Sequence, residues 1–76
     1  MNNERRKRID EIISSLEDLK SQIEDVLLEE EEYKDNIPEN LTSSERYMKA
    51  ESACDNLDNA AVSLDDITNY LEEAKE

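Results

Sequence analysis

Glycine is absent from this 76-residue chain, and proline occurs once, at Pro38. Tight β-turns draw on residues that reach positive φ, glycine first among them, so sandwiches, barrels and glycine-loop nucleotide folds lack the turn chemistry they need. Helix is what remains, broken where Pro38 stands.

From Ile9 the apolar residues fall at Ile9, Ile12, Leu16, Leu19, Ile23, Val26 and, past the polar Glu30, Tyr33. These steps of three and four define a heptad seam. Ile13 and Leu27 sit beside it and widen the stripe, which predicts contact with more than one neighbour. Pro38 lacks an amide donor and pushes Ile37 out of helical conformation. Helix 1 is therefore predicted over about 3–34 and a turn over 35–41. Thr42-Ser43-Ser44-Glu45 has the form of a capping box, with Thr42 as N-cap and Leu41 as hydrophobic staple, and predicts helix 2 over about 43–75. Its seam reads Tyr47, Ala50, Cys54, Leu57, Ala61, Leu64 and Leu71, with Ala53, Ala60, Ile67 and Ala74 alongside.

A short connection between matched stripes predicts an antiparallel hairpin, all-α and coiled-coil-like, with residues 1–76 as one domain. A turn centred near Ile37 places Leu57 beside Leu19, Leu64 beside Ile12 and Ala50 beside Val26. Large side chains on helix 1 then meet alanine and cysteine on helix 2. Two helices leave one side of each stripe wet, so the expected completion is a homodimeric four-helix bundle.

The 22 acidic residues outnumber the 9 basic ones, for a formal net charge of −13. Such a surface repels nucleic acid and anionic membrane and favours a protein partner with a basic surface. Histidine and tryptophan are missing, which removes the commonest acid/base and metal-binding side chain. No enzymatic activity, metal or cofactor is expected. One cysteine, Cys54, excludes an intrachain disulfide and fits a reducing compartment. Arg5 to Arg8 lead into Ile9-Asp10-Glu11, where a secretory signal would stay apolar, and no stretch approaches the ~20 apolar residues of a membrane span. A cytoplasmic location is expected.

The candidate binding face is acidic: Glu29, Glu30, Glu31 and Glu32, then Asp55, Asp58, Asp65, Asp66, Glu72 and Glu73 on helix 2. Carboxylates fixed on a rigid helix can occupy a protein groove built for DNA or RNA, as mimics of its phosphates. Asp and Asn are poor helix formers, yet Asp55, Asn56, Asp58, Asn59, Asp65, Asp66 and Asn69 crowd into this helix. The plainer reading is a solvated face that keeps the protein soluble. For Arg5 to Arg8, a basic patch competes with pairing to Asp65, Asp66, Glu72 and Glu73 at the adjacent end of helix 2. Cys54 falls on the seam with no base nearby, as a small buried hydrophobe would. Asp55-Asn56-Leu57-Asp58-Asn59 lacks the glycine and spacing of a calcium loop. Leu28, Met48, Val62 and Tyr70 lie off the stripes, and Met48, Val62 and Tyr70 form a candidate apolar contact strip.

The run from Ile37-Pro38-Glu39-Asn40-Leu41 through Ser44-Glu45-Arg46-Tyr47 to Asn56-Leu57-Asp58-Asn59-Ala60 resembles small acidic helical-hairpin proteins of Gram-positive bacteria and their phages. The resemblance covers most of the chain. Its most specific parts are the Pro-Glu-Asn-Leu turn and the Ser-Glu-Arg-Tyr after it. It brings no catalytic residues and implies a context, the bacterial host cytoplasm, and a phage-type inhibitor of a host nucleic-acid enzyme or defence protein. The expected function is thus a non-catalytic acidic binding module acting by DNA mimicry. The alternative is an assembly module acting only through helical oligomerisation.

Overall fold

Two long helices fold back on each other: α1 spans Asn3–Asp35 and α2 spans Glu45–Lys75, joined through one 3-10 turn at Glu39–Leu41. The computed structural model describes residues 1–41 and 44–76. The helices pack antiparallel as a rod whose Cα trace measures 59 × 15 × 11 Å. No described residue adopts a positive φ, so a chain without glycine builds this shape without strain.

Local chemistry sets the helix ends. Asn2 caps α1, its Oδ1 accepting from the Arg5 amide at 2.8 Å. At the far end the Asn36 amide donates to the Glu32 carbonyl and the Ile37 amide to the Lys34 carbonyl, both at 3.1 Å. Pro38 follows, so α1 runs one residue past its predicted limit and stops. Thr42, the expected N-cap, and the side chain of Leu41, the expected staple, lie outside what is described. The cap of α2 is Ser44, whose Oγ accepts from the Tyr47 amide at 3.2 Å, and α2 starts two residues later than predicted. Glu45 pairs with Lys49 at 3.1 Å.

The seam of α2 lies where its sequence places it. Ala50, Cys54 and Ala61 are buried, and Tyr47, Leu57, Leu64 and Leu71 are half-buried. The seam of α1 does so only in part: it runs Ile9, Ile13, Leu16, Lys20, Ile23, Leu27, Glu30, Lys34 and on to Ile37, keeping the predicted Ile9, Leu16 and Ile23. Ile13 is the residue most deeply buried within α1, at 6% exposure, whereas Ile12, Leu19, Val26 and Tyr33, expected on the seam, remain 45–49% exposed. The true seam thus shares one column with the predicted one and takes Ile13, Lys20 and Leu27 in place of Ile12, Leu19 and Val26 for the other. The register moves with it. Lys20 meets Asp65 and Lys75 meets Asp10, so residues whose numbers total about 85 lie side by side. Leu64 accordingly lies level with Lys20 and not with Ile12, because the chain reverses about four residues later than a turn centred on Ile37 requires.

Candidate interaction surfaces

Heptad positions follow from the seam, with a at Ile13, Lys20, Leu27 and Lys34 on α1 and at Tyr47, Cys54, Ala61 and Thr68 on α2. In an antiparallel pair the g columns of the two helices flank one side of the seam and the e columns the other. The hairpin therefore has two broad faces, and the sequence fills them oppositely.

From Asp10 onward the e columns are carboxylates throughout: Asp10, Glu17, Glu24 and Glu31 on α1, and Glu51, Asp58, Asp65 and Glu72 on α2. Members of a column stand about 10.5 Å apart, seven residues at the helical rise. Two lysines reach out of the seam and bind half of them. Lys20 Nζ donates to both Asp65 oxygens at 2.7 and 2.9 Å and lies 3.9 Å from Glu24. Lys75 Nζ donates to Asp10 at 2.6 Å and lies 3.1 Å from Glu72. Their long apolar stems cover the seam while the ammonium groups reach water. The hydrogen bond it donates to Asp65 raises the Lys20 pKa, and those donated to Asp10 and Glu72 raise that of Lys75. Among the described residues Glu17, Glu31, Glu51 and Asp58 make no ion pair. A shallow groove runs along this face, walled by Glu24, Glu31, Asp58 and Asp65, with Leu28 and Val62 on its edges.

The g columns carry Ile12, Leu19, Val26 and Tyr33 on α1 and Ala53, Ala60, Ile67 and Ala74 on α2. Ile67 is 44% exposed, so five large apolar side chains share one open surface. Its c-column rims are mostly uncharged, with Ser15 and Gln22 on α1 and Asn56, Ser63 and Tyr70 on α2. Of the 22 carboxylate residues only Glu29 falls in these columns, where an even scatter would put about five. Arg5, Arg8, Arg46 and Lys49 stand at the ends of the same face, which thus carries a formal charge of +3 in a chain of −13.

Residues singled out from the sequence distribute unevenly over this frame. Glu31, Asp58, Asp65 and Glu72 come together on the carboxylate face, with Asp55 at its edge and Asp66 and Glu73 turned further outward. The Glu29–Glu32 run does not form one patch, because consecutive helical residues point about 100° apart. Glu29 reaches the rim of the apolar face, Glu30 is half-buried on the seam and Glu32 points away from both helices. Met48 and Val62 share a column beside the carboxylates, while the 73%-exposed Tyr70 stands across the outward-facing aspartates, at the rim of the apolar face. The three are not one strip. Asp10, Glu17, Glu24 and Glu51 were missed, and their recurrence every seven residues is the signal that marks them.

At the open end Arg6 donates through Nε to the Lys75 carbonyl at 2.7 Å and through a guanidinium nitrogen to Asn3 at 3.1 Å. No described pair joins Arg5 to Arg8 with the carboxylates of α2; Lys75 makes the charged contact between the helices there, with Asp10. Burial pushes the Cys54 thiol pKa up, Lys34 nearby opposes it, and Glu31, Glu30 and Asp55 reinforce it. The thiol is free and buried, as the seam position of Cys54 implies. Among the described residues no three potential ligands cluster closely enough to hold a metal ion, and no helix is long and apolar enough to cross a membrane. No protein-family model, curated protein or solved structure matches the chain.

Proposed function

We propose that the protein is a non-catalytic association module whose working surface is the apolar face. The observation that carries this reading is the row Ile12, Leu19, Val26, Tyr33 and Ile67, exposed together on a face from which nearly all carboxylates are absent. Scattered exposed apolar residues are ordinary, but a contiguous row with an uncharged rim has the anatomy of a protein interface. Solubility accounts for acidic residues in general and not for their exclusion from one side.

A second reading, inhibition by mimicry of a nucleic-acid backbone, is favoured by the unbroken e columns. A net charge of −13 over 59 Å is one charge per about 4.5 Å, approaching the ~3.4 Å of a single nucleic-acid strand. Lys20 and Lys75 work against it by binding four of the eight column carboxylates.

Retention of proteins from a bacterial lysate on immobilised chain separates the two. Association through the apolar face should survive rising salt and vanish in Leu19→Glu. Mimicry should elute with salt and weaken when Asp58, Asp65 and Asp66 become asparagine. Retention that neither change alters would defeat both readings.

A further inference from the structure

We infer that the occupant of the apolar face is a second copy of this chain. Two hairpins stack face to face with their turns at the same end, α1 of each over α2 of the other. The inference rests on the association reading above and names its partner.

Size points first to self-association. The broad face measures 59 Å by 15 Å between Cα atoms, close to the ~800 Å² that each partner contributes to a standard stable interface. A two-fold interface must also complement itself, since the same patch serves both copies. This face does so by halves: its α1 half is large, with Ile12, Leu19, Val26 and Tyr33, and its α2 half is small, with Ala53, Ala60 and Ala74 around Ile67. Laying α1 over the partner's α2 sets Ile12, Val26 and Tyr33 against Ala74, Ala60 and Ala53, with Leu19 and Ile67 as the one large pair, whereas α1 over α1 would crowd one side and leave a gap on the other.

Charge agrees. In this stacking the cations at the ends of the face stay apart: Arg5 and Arg8 lie at the open end, over the end of the partner's α2, while Arg46 and Lys49 lie at the closed end, over the end of the partner's α1 whose rim bears Glu29. Level with one another along the rims, Ser15 meets Tyr70, Gln22 meets Ser63 and Glu29 meets Asn56, so no like charges oppose. Both carboxylate faces point outward, on opposite sides of the four-helix body, where the repulsion between two chains of −13 is least.

Sedimentation equilibrium of the full chain tests the occupant. The expected result is a dimer of the 8.8 kDa chain at micromolar concentration, tightened by added salt because screening relieves net repulsion. Leu19→Glu with Val26→Glu should weaken it at least ~100-fold with helicity intact, since both side chains are exposed in the single hairpin. Glu17→Gln on the opposite face should leave it unchanged. Orientation is read from a spin label at Glu39→Cys in a Cys54→Ala background. Turns at one end put the labels ~20 Å apart, two helix spacings, while opposed turns put them about the 59 Å rod length apart. A chain monomeric up to millimolar concentration, a dimer indifferent to the double substitution, or the long label distance would overturn the inference. A monomer that still holds another helical protein through Leu19 would remove the second copy and leave the association reading standing.

Discussion

The two broad faces of this hairpin are made by the same helices and differ in a single respect: which side chains recur every seventh residue. On one side the recurrence is carboxylate in both helices, and on the other it is apolar and nearly free of acid. Neither face is needed to close the hairpin, whose seam is formed by the columns between them. The residues that fold the chain and those that present it to others are therefore separable. Substitution can address them one at a time.

The largest effect is expected from making the faces alike. Glu17→Leu, Glu24→Leu and Glu31→Leu together give the hairpin two apolar sides, and a surface that can no longer close on one partner should grow into larger assemblies, visible by light scattering. If the triple variant keeps the parent's size, the carboxylate face is not what limits association.

Changes on the seam should act differently from changes on either face. Leu57→Ala, half-buried between the helices, should cost ~2 kcal/mol in urea unfolding at fixed protein concentration. Ile13→Glu should unfold the hairpin outright, where Ile12→Glu, one residue away, should leave circular dichroism unchanged and lose self-association. Equal loss of helicity in both variants would mean the seam is wrongly drawn.

Alkaline pH distinguishes seam from surface more gently. The folded Cys54 pKa lies above the ordinary value of 9.0, so the unfolded chain releases that proton first and stability falls as pH rises through 9. The raised Lys20 and Lys75 values add a second loss above 10.5, because their contribution is complete below that pH and disappears as the folded-state lysines deprotonate. Cys54→Ala should remove the first decline and keep the second, as followed by thermal unfolding across this range. The smallest effect belongs to Asp65→Asn. It unties a solvent-exposed lysine, and its shift in urea midpoint should fall near measurement error, since such pairs contribute little.

Comparing the helices shows how much of this was legible in the sequence. In α2 the phase reads directly, because alanine, cysteine and leucine fill most of the seam and charge enters it only at its end, with Lys75. In α1 three apolar columns compete, and the cleanest of them, Ile12, Leu19, Val26 and Tyr33, is the one that faces outward. The true seam is interrupted by Lys20, Glu30 and Lys34, which reads as disqualifying until the acidic e column of the other helix is set beside it: a lysine there has a carboxylate within reach. The hairpin, its break at Pro38 and the acidic character were all readable. The phase of α1 was not, since one helix's periodicity cannot say which of two apolar columns meets its neighbour. An apolar side left open by two helices was readable, but which residues form it depends on that phase, and the register depends on where the chain reverses.

The unbroken carboxylate columns also withhold something. A lysine emerging from the seam would find an acidic partner after any seven-residue slide of one helix along the other, so ion pairing cannot tell the correct alignment from its neighbours. Alignment is encoded in one place, the closed end, where Ile37 is buried next to Tyr47, Asn36 finishes one helix and Ser44 begins the other. The connection there acts as the gauge that measures one helix against the other, and its length matters more than its composition.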